Sequence, residues 1–156
     1  MNNFIDFNLM LKKIDFVNRY RVICEKFNCF DNRLRGSNKN VFWGIVKKYD
    51  EKSKYIAKER MFMSEYKLDD VSIKIGFELK EGLAQTFLFC IKDEDWLLYG
   101  RFDEIAEQLV PGFRGKFSFP IYASYEELDL IVRDIFLIYT DIKNEAASVL
   151  GGQRLS

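Results

Sequence analysis

Val71-Ser72-Ile73-Lys74-Ile75-Gly76-Phe77-Glu78-Leu79-Lys80 alternates apolar and polar residues without a break. Successive side chains of a strand point to opposite faces, so a period of two predicts a β-strand with Val71, Ile73, Ile75, Phe77 and Leu79 on a core. Its other face is wet, which is the pattern of antiparallel sheets rather than parallel ones. Glu81-Gly82 provides a turn. Thr86-Phe87-Leu88-Phe89-Cys90-Ile91 then runs without alternation, predicting a central strand covered on both faces. Lys92-Asp93-Glu94-Asp95 turns the chain and Trp96-Leu97-Leu98-Tyr99 returns it. Upstream, Val41–Val46 and Tyr55–Met63 read as two strands joined through Asp50-Glu51-Lys52-Ser53. Downstream, Phe117–Tyr122 reads as an edge strand, since Pro120 would remove a ladder donor from a central one.

Helical spacing frames this sheet. Ser124-Tyr125-Glu126-Glu127 is a Ser-x-x-Glu capping box, in which the hydroxyl accepts the Glu127 amide and the carboxylate reaches back. Leu128, Ile131, Val132, Ile135, Tyr139, Ile142, Ala146 and Val149 follow at three- and four-residue spacing, with Leu130, Phe136, Leu137 and Ile138 widening the stripe. A long helix is predicted over 124–150. Phe16, Val17, Tyr20, Ile23 and Phe27 mark a second helix from Ile14 to about Asn28, and Asp31–Asn40 reads as a loop. A short helix is expected from Asp103 to Val110, capped by Asp103 and stopped by Pro111-Gly112. The expected fold is α+β: an antiparallel meander of five to six strands with an N-terminal and a long C-terminal helix packed on it. Residues 1–150 form one globular domain in this reading, and 151–156 a flexible C-terminal tail.

Composition narrows the function classes. The 156 residues are 48% hydrophobic and 31% charged, an ordinary globular balance, and 15 Phe with 8 Tyr predict a ring-rich core. No apolar run approaches the roughly 20 residues that cross a bilayer. The start, Met1-Asn2-Asn3-Phe4-Ile5-Asp6, lacks a basic head and a small-residue cleavage site, so a cytoplasmic protein is expected. Cys24, Cys29 and Cys90 cannot all pair with one another and read as structural thiols in a reducing compartment. Histidine is absent. That removes the commonest general base and zinc ligand, and with them Ser-His-Asp and Cys-His catalysis. The net charge is zero, yet residues 1–65 hold 14 Lys and Arg against 8 Asp and Glu, and the remainder reverses the excess.

Asp93, Glu94 and Asp95 beside Trp96 form the sharpest functional feature, and Asp103, Glu104 and Glu107 follow closely enough to share one end of the sheet. A carboxylate surface with an aromatic anchor suits a cationic protein partner. The plainer reading is a solvated hairpin turn whose Trp caps the core. The carboxylates at Asp69-Asp70 and 93–95 lack the alternating ligand spacing and glycine turn of a hard-cation loop, so no metal is expected. Gly112-Phe113-Arg114-Gly115-Lys116 has two glycines around two residues, not a phosphate-loop spacing, and reads as a turn. Basic residues from Arg33 to Lys58 lie near Tyr49 and Tyr55, but Asp50, Glu51 and Glu59 interrupt them and the isoelectric point is 6.4, which disfavours nucleic acid. A second class is a small-molecule or enzymatic pocket between the sheet and the long helix, lined by Tyr99, Arg101, Tyr122 and Tyr139.

A small, His-free, aromatic-rich α+β chain with an acidic 93–107 stretch and a capped C-terminal helix resembles the immunity proteins of bacterial toxin–immunity pairs. The resemblance lies in size and composition across the whole chain. It implies a non-enzymatic cytoplasmic protein, without cofactor, that binds one cognate basic toxin domain and covers its active site. A nuclease toxin needs a cationic substrate channel, which an acidic surface can occupy in place of phosphates. Asp93, Glu94, Asp95, Trp96, Asp103, Glu104 and Glu107 are the expected partner-binding residues, with no nucleic-acid or membrane partner.

Overall fold

The alternation of Val71–Lys80 becomes a ten-residue strand in the structure, a computed structural model that describes residues 5–151. Val71, Ile73, Ile75, Phe77 and Leu79 are all buried on one of its faces. Five strands follow one another in space as in sequence: β1 (Lys54–Ile56), β2 (Met61–Leu68), β3 (Val71–Lys80), β4 (Leu83–Lys92) and β5 (Asp95–Arg101). Every pairing is antiparallel, with Ile73 opposite Cys90, Ile75 opposite Leu88 and Phe77 opposite Thr86. The helices are α1 (Phe7–Lys13), α2 (Phe16–Lys26), α3 (Lys39–Lys47), α4 (Phe102–Leu109) and α5 (Tyr125–Gly151). The fold is α+β, a five-strand meander with N-terminal helices and a long C-terminal helix packed against it. No helix among the described residues is long and apolar enough to cross a membrane. The expectation of a flexible tail falls, beyond Gly151, outside the described residues.

The C-terminal helix follows its sequence signals closely. Ser124 Oγ accepts the Glu127 amide at 3.1 Å, while the Glu127 carboxylate accepts the Ala123 amide at 2.9 Å, one residue earlier than a strict capping box. Leu128, Ile131, Val132, Ile135, Ile138, Tyr139, Ile142 and Ala146 are buried, whereas Leu137 and Val149 are exposed. Phe136 packs 5.6 Å from Phe77, and the Tyr139 hydroxyl donates to the Ile73 carbonyl at 2.7 Å. Ser124→Ala removes the cap and should cost about 1 kcal/mol in chemical denaturation. An unchanged midpoint would show that the cap contributes nothing.

Two neighbouring expectations change. Val41–Val46 is helical, not a strand: Asn38 caps α3 by accepting the Val41 amide at 3.3 Å, and Phe42, Ile45 and Val46 are buried at i, i+3, i+4. Six apolar residues fit either period, and here the cap and the helix-facing contacts win. The strand expected at Tyr55–Met63 is therefore split, with β1 and β2 separated by a turn in which Arg60 has φ 56°. The helix expected from Ile14 to about Asn28 is present as α2, and a separate α1 precedes it, because Asp15 adopts a left-handed conformation (φ 60°) that breaks the rod. Arg19 then reaches Asp141 at 2.7 Å and Lys13 reaches Glu145 at 2.9 Å, tying this pair of helices to α5.

Phe117–Tyr122 is not an edge strand. One isolated bridge joins Ile121 to Leu83, and the segment instead stitches loops together. Tyr122 donates its amide to Gly82 at 2.9 Å, Ala84 donates to Pro120 at 3.0 Å, and Leu34 donates to Tyr122 at 2.9 Å. Gly82 sits at φ +79°, and a Cβ there would meet Arg33 Cβ at 2.4 Å. Gly82→Ala combines left-handed strain with a backbone-proximal clash and should cost about 2 kcal/mol. Thermal unfolding reads this directly; an unchanged Tm would mean the loop has room to shift.

Candidate functional site

Strand β4 has two apolar faces, but only one meets helices. Ala84, Thr86, Leu88 and Cys90 are buried against the core. Phe87, Phe89 and Ile91 point the other way, by the alternation of the strand. The absence of alternation in 86–91 therefore has a different cause from the one expected. The strand is fourth of five, and among the described residues its second face is covered by neighbouring rings and thioethers.

Register builds that second face. Phe89 lies opposite Tyr99 and Ile91 opposite Trp96, with a bulge between Cys90 and Ile91 that leaves Leu97 as the extra residue. Ring centroids are 5.3 Å apart for Phe89 and Tyr99, 5.3 Å for Trp96 and Tyr99, 6.2 Å for Phe89 and Trp96, and 6.1 Å for Phe87 and Phe89. Gly76 of β3 continues the row of Phe87, and the absence of a side chain there matters: a Cβ would stand 2.9 Å from Met61 Sδ, 3.2 Å from Met63 Sδ and 3.3 Å from the Phe89 ring. Two thioethers and a ring thus lie flat over the backbone. Met61 and Phe89 are buried yet lie outside the main core cluster. Trp96 and Tyr99 form the outer part of this patch and are each 60% exposed.

The acidic turns stand at one end of this face. Asp93 and Asp69 both adopt left-handed φ near 55°, which Asp tolerates better than most residues, and each sits in the turn of a hairpin. The Asp93 amide donates to the Asp70 carbonyl at 3.0 Å, clasping the β2–β3 and β4–β5 turns together. Asp69, Asp70, Asp93, Glu94 and Asp95 therefore gather at one end, diluted by Lys67 and Lys92. Trp96 projects beside them on the open face. It does not cap the core.

Asp103, Glu104 and Glu107 are elsewhere and otherwise engaged. Asp95 opens β5 and Arg101 closes it, so helix α4 starts roughly 20 Å from the acidic turns. Asp103 is not the cap: it lies inside the first turn of α4, 2% exposed, bound by Arg101 at 2.9 Å and Arg114 at 3.1 Å. The Arg101 guanidinium is correspondingly held above its ordinary pKa by that carboxylate. Glu104 accepts the Arg101 amide at 2.9 Å, closing the helix start. Glu107 accepts the amides of Gly112 and Arg114 at 3.0 and 2.8 Å, and these bonds lower its pKa. Each of the three thus shapes the α4 turn, and Asp103 presents almost no surface.

The four residues expected to line a sheet–helix pocket do not converge. Tyr139 and Tyr122 are buried in a filled core, Tyr122 against Phe42 at 6.0 Å. Tyr99 lies on the opposite face, and Arg101 is turned to Asp103. Cys24 and Cys90 are buried free thiols, both pushed up in pKa by burial, Cys24 to about 12. Among the described residues no group of three or more Cys, Asp or Glu side chains could hold a metal ion.

Comparison with known proteins leaves the site to be read from its own chemistry: no family model, no curated protein and no solved structure matches the chain. The arrangement sets carboxylates beside exposed rings and thioethers, and aromatic and Met side chains are the types enriched at protein interfaces. Sequence reading finds the 93–96 part, assigns Tyr99 to a pocket on the other face, and misses Phe87, Phe89, Met61 and Met63. The signal for them is the unbroken apolar run of β4 next to a β3 whose outward residues are polar.

Proposed function

We propose that this protein is a non-enzymatic binding protein that engages a basic protein partner through the acidic end of its sheet, in the manner of the immunity proteins it resembles. One observation carries the reading: two acidic turns, distant in sequence, are clasped by the Asp93–Asp70 hydrogen bond beside an exposed Trp96. Like charges brought together cost stability unless a partner of opposite charge uses them, and such a field accelerates encounter with a cationic surface. A nuclease-type toxin fits, because its substrate channel must be cationic to hold a polyanion.

The test is capture of the partner from the native host with tagged protein, washed at low and then high salt. The expected result is one stoichiometric basic protein, released by salt, whose own activity falls in proportion to added binding protein. An acidic partner, or one whose affinity ignores salt, would overturn the reading.

A further inference from the structure

The molecule places its own cations over many of its rings. Lys47 Nζ lies 4.1 Å from the centroid of Trp43, Lys39 Nζ 4.1 Å from that of Tyr55, and Arg33 Cζ 3.7 Å from that of Phe30. Among the described residues no cation covers Trp96 or Tyr99, although these are its most exposed Trp and Tyr rings. Two of the neighbouring cations are committed elsewhere, while Lys67, in the row of Ile91 and Trp96, and Lys92 stay at the acidic end. Lys74, in the row of Phe89 and Tyr99, faces Glu65 at 3.9 Å, and Arg101 at the end of β5 is held by Asp103. Two ring faces are thus left free, next to five carboxylates set against two lysines.

We propose that the open face of the sheet is the docking platform for an arginine-bearing segment of a basic protein. Guanidinium groups would stack on the Trp96–Tyr99 pair while paired with the carboxylates of the two turns, and the segment's apolar side chains would lie on the Met61, Met63 and Phe89 floor. This rests on the basic-partner reading and adds the platform and the residue type that occupies it. Arginine is selected over lysine because its planar, weakly hydrated guanidinium stacks on a ring and offers a carboxylate two parallel donors. A surface that used the turns alone would be indifferent to which cation arrives. Charge complementarity favours this occupant over a second copy of the chain, which would bring the same acidic turns to the same patch.

The experiment titrates the full-length protein with hexa-arginine and, separately, hexa-lysine peptide, reading the two indole N–H signals by NMR. Trp43 is an internal control, since it belongs to α3 and its indole donates at 3.3 Å to the carbonyl of Ser53, the residue before β1. The expected result is a saturable shift of Trp96 and the Tyr99 ring with hexa-arginine, about fivefold or more tighter than with hexa-lysine, and Trp43 unmoved. Trp96→Leu with Tyr99→Leu should abolish the arginine preference, whereas Tyr99→Phe, which keeps a ring, should retain it. Equal affinities for the two peptides, with shifts confined to amides of 69–70 and 93–95, would overturn the platform and leave the basic-partner reading standing. No shift with either peptide would overturn both. Trp96 signals that move with protein concentration in the absence of peptide would instead assign the face to a second copy.

Discussion

Phe102→Ala is expected to lower the unfolding free energy by about 3–5 kcal/mol, the usual range for deleting a fully buried ring. Phe102 is the first residue of α4 and has no exposed surface. Its ring meets Phe16 edge-on at 5.0 Å and Tyr20 at 5.4 Å, and Tyr20 in turn stacks on Phe113 at 5.8 Å. This cluster joins α2, α4 and the turn after α4, so its loss leaves a cavity where three segments meet. Urea denaturation measures the change. A loss below about 1 kcal/mol would mean the cluster collapses without cost, contrary to close packing.

Reversing the charge of Asp93, Glu94 and Asp95 together to lysine is expected to slow association with a basic partner by on the order of 100-fold at low ionic strength. The difference should shrink as salt is added, since exposed charges are screened over about 10 Å at 0.1 M. The fold should persist, with a cost under about 1 kcal/mol, mainly for a lysine at the left-handed Asp93 position. Stopped-flow association rates across a salt series provide the measurement; rates equal to wild type would remove the turns from the interface. Asp103→Asn is the informative contrast. That carboxylate is buried between two arginines, so its change should reduce stability and leave the association rate alone.

Strand β3 and helix α5 are legible in the sequence because each carries one clear period over ten or more residues. The α3 segment is not, because Val41–Val46 is short and apolar throughout, and the decisive cue is the Asn38 cap just before it. The candidate site divides the same way. Asp93–Asp95 is legible as a turn, whereas the sequence leaves open whether Trp96 caps the core or stands exposed beside it. Asp103, Glu104 and Glu107 look equivalent in composition, yet they face the backbone amides and arginines of their own helix start.

The sequence by itself determined the strongest local features: which residues of β3 face inward, where α5 begins, and where the chain reverses at Glu81-Gly82 and at 92–95. These depend on neighbours a few residues away, within reach of local sterics and hydrogen bonds. Only the tertiary structure decided which apolar face of β4 receives the helices and which is left open with Phe89, Trp96 and Tyr99. Hydrophobic burial is non-directional, so a run of apolar residues shows that surface is to be covered without showing what covers it. Likewise, only packing separates Asp93 from Asp103. One stands in a turn clasped to Asp70, the other is enclosed by Arg101 and by an arginine eleven residues further along the chain, brought back by the turn after α4.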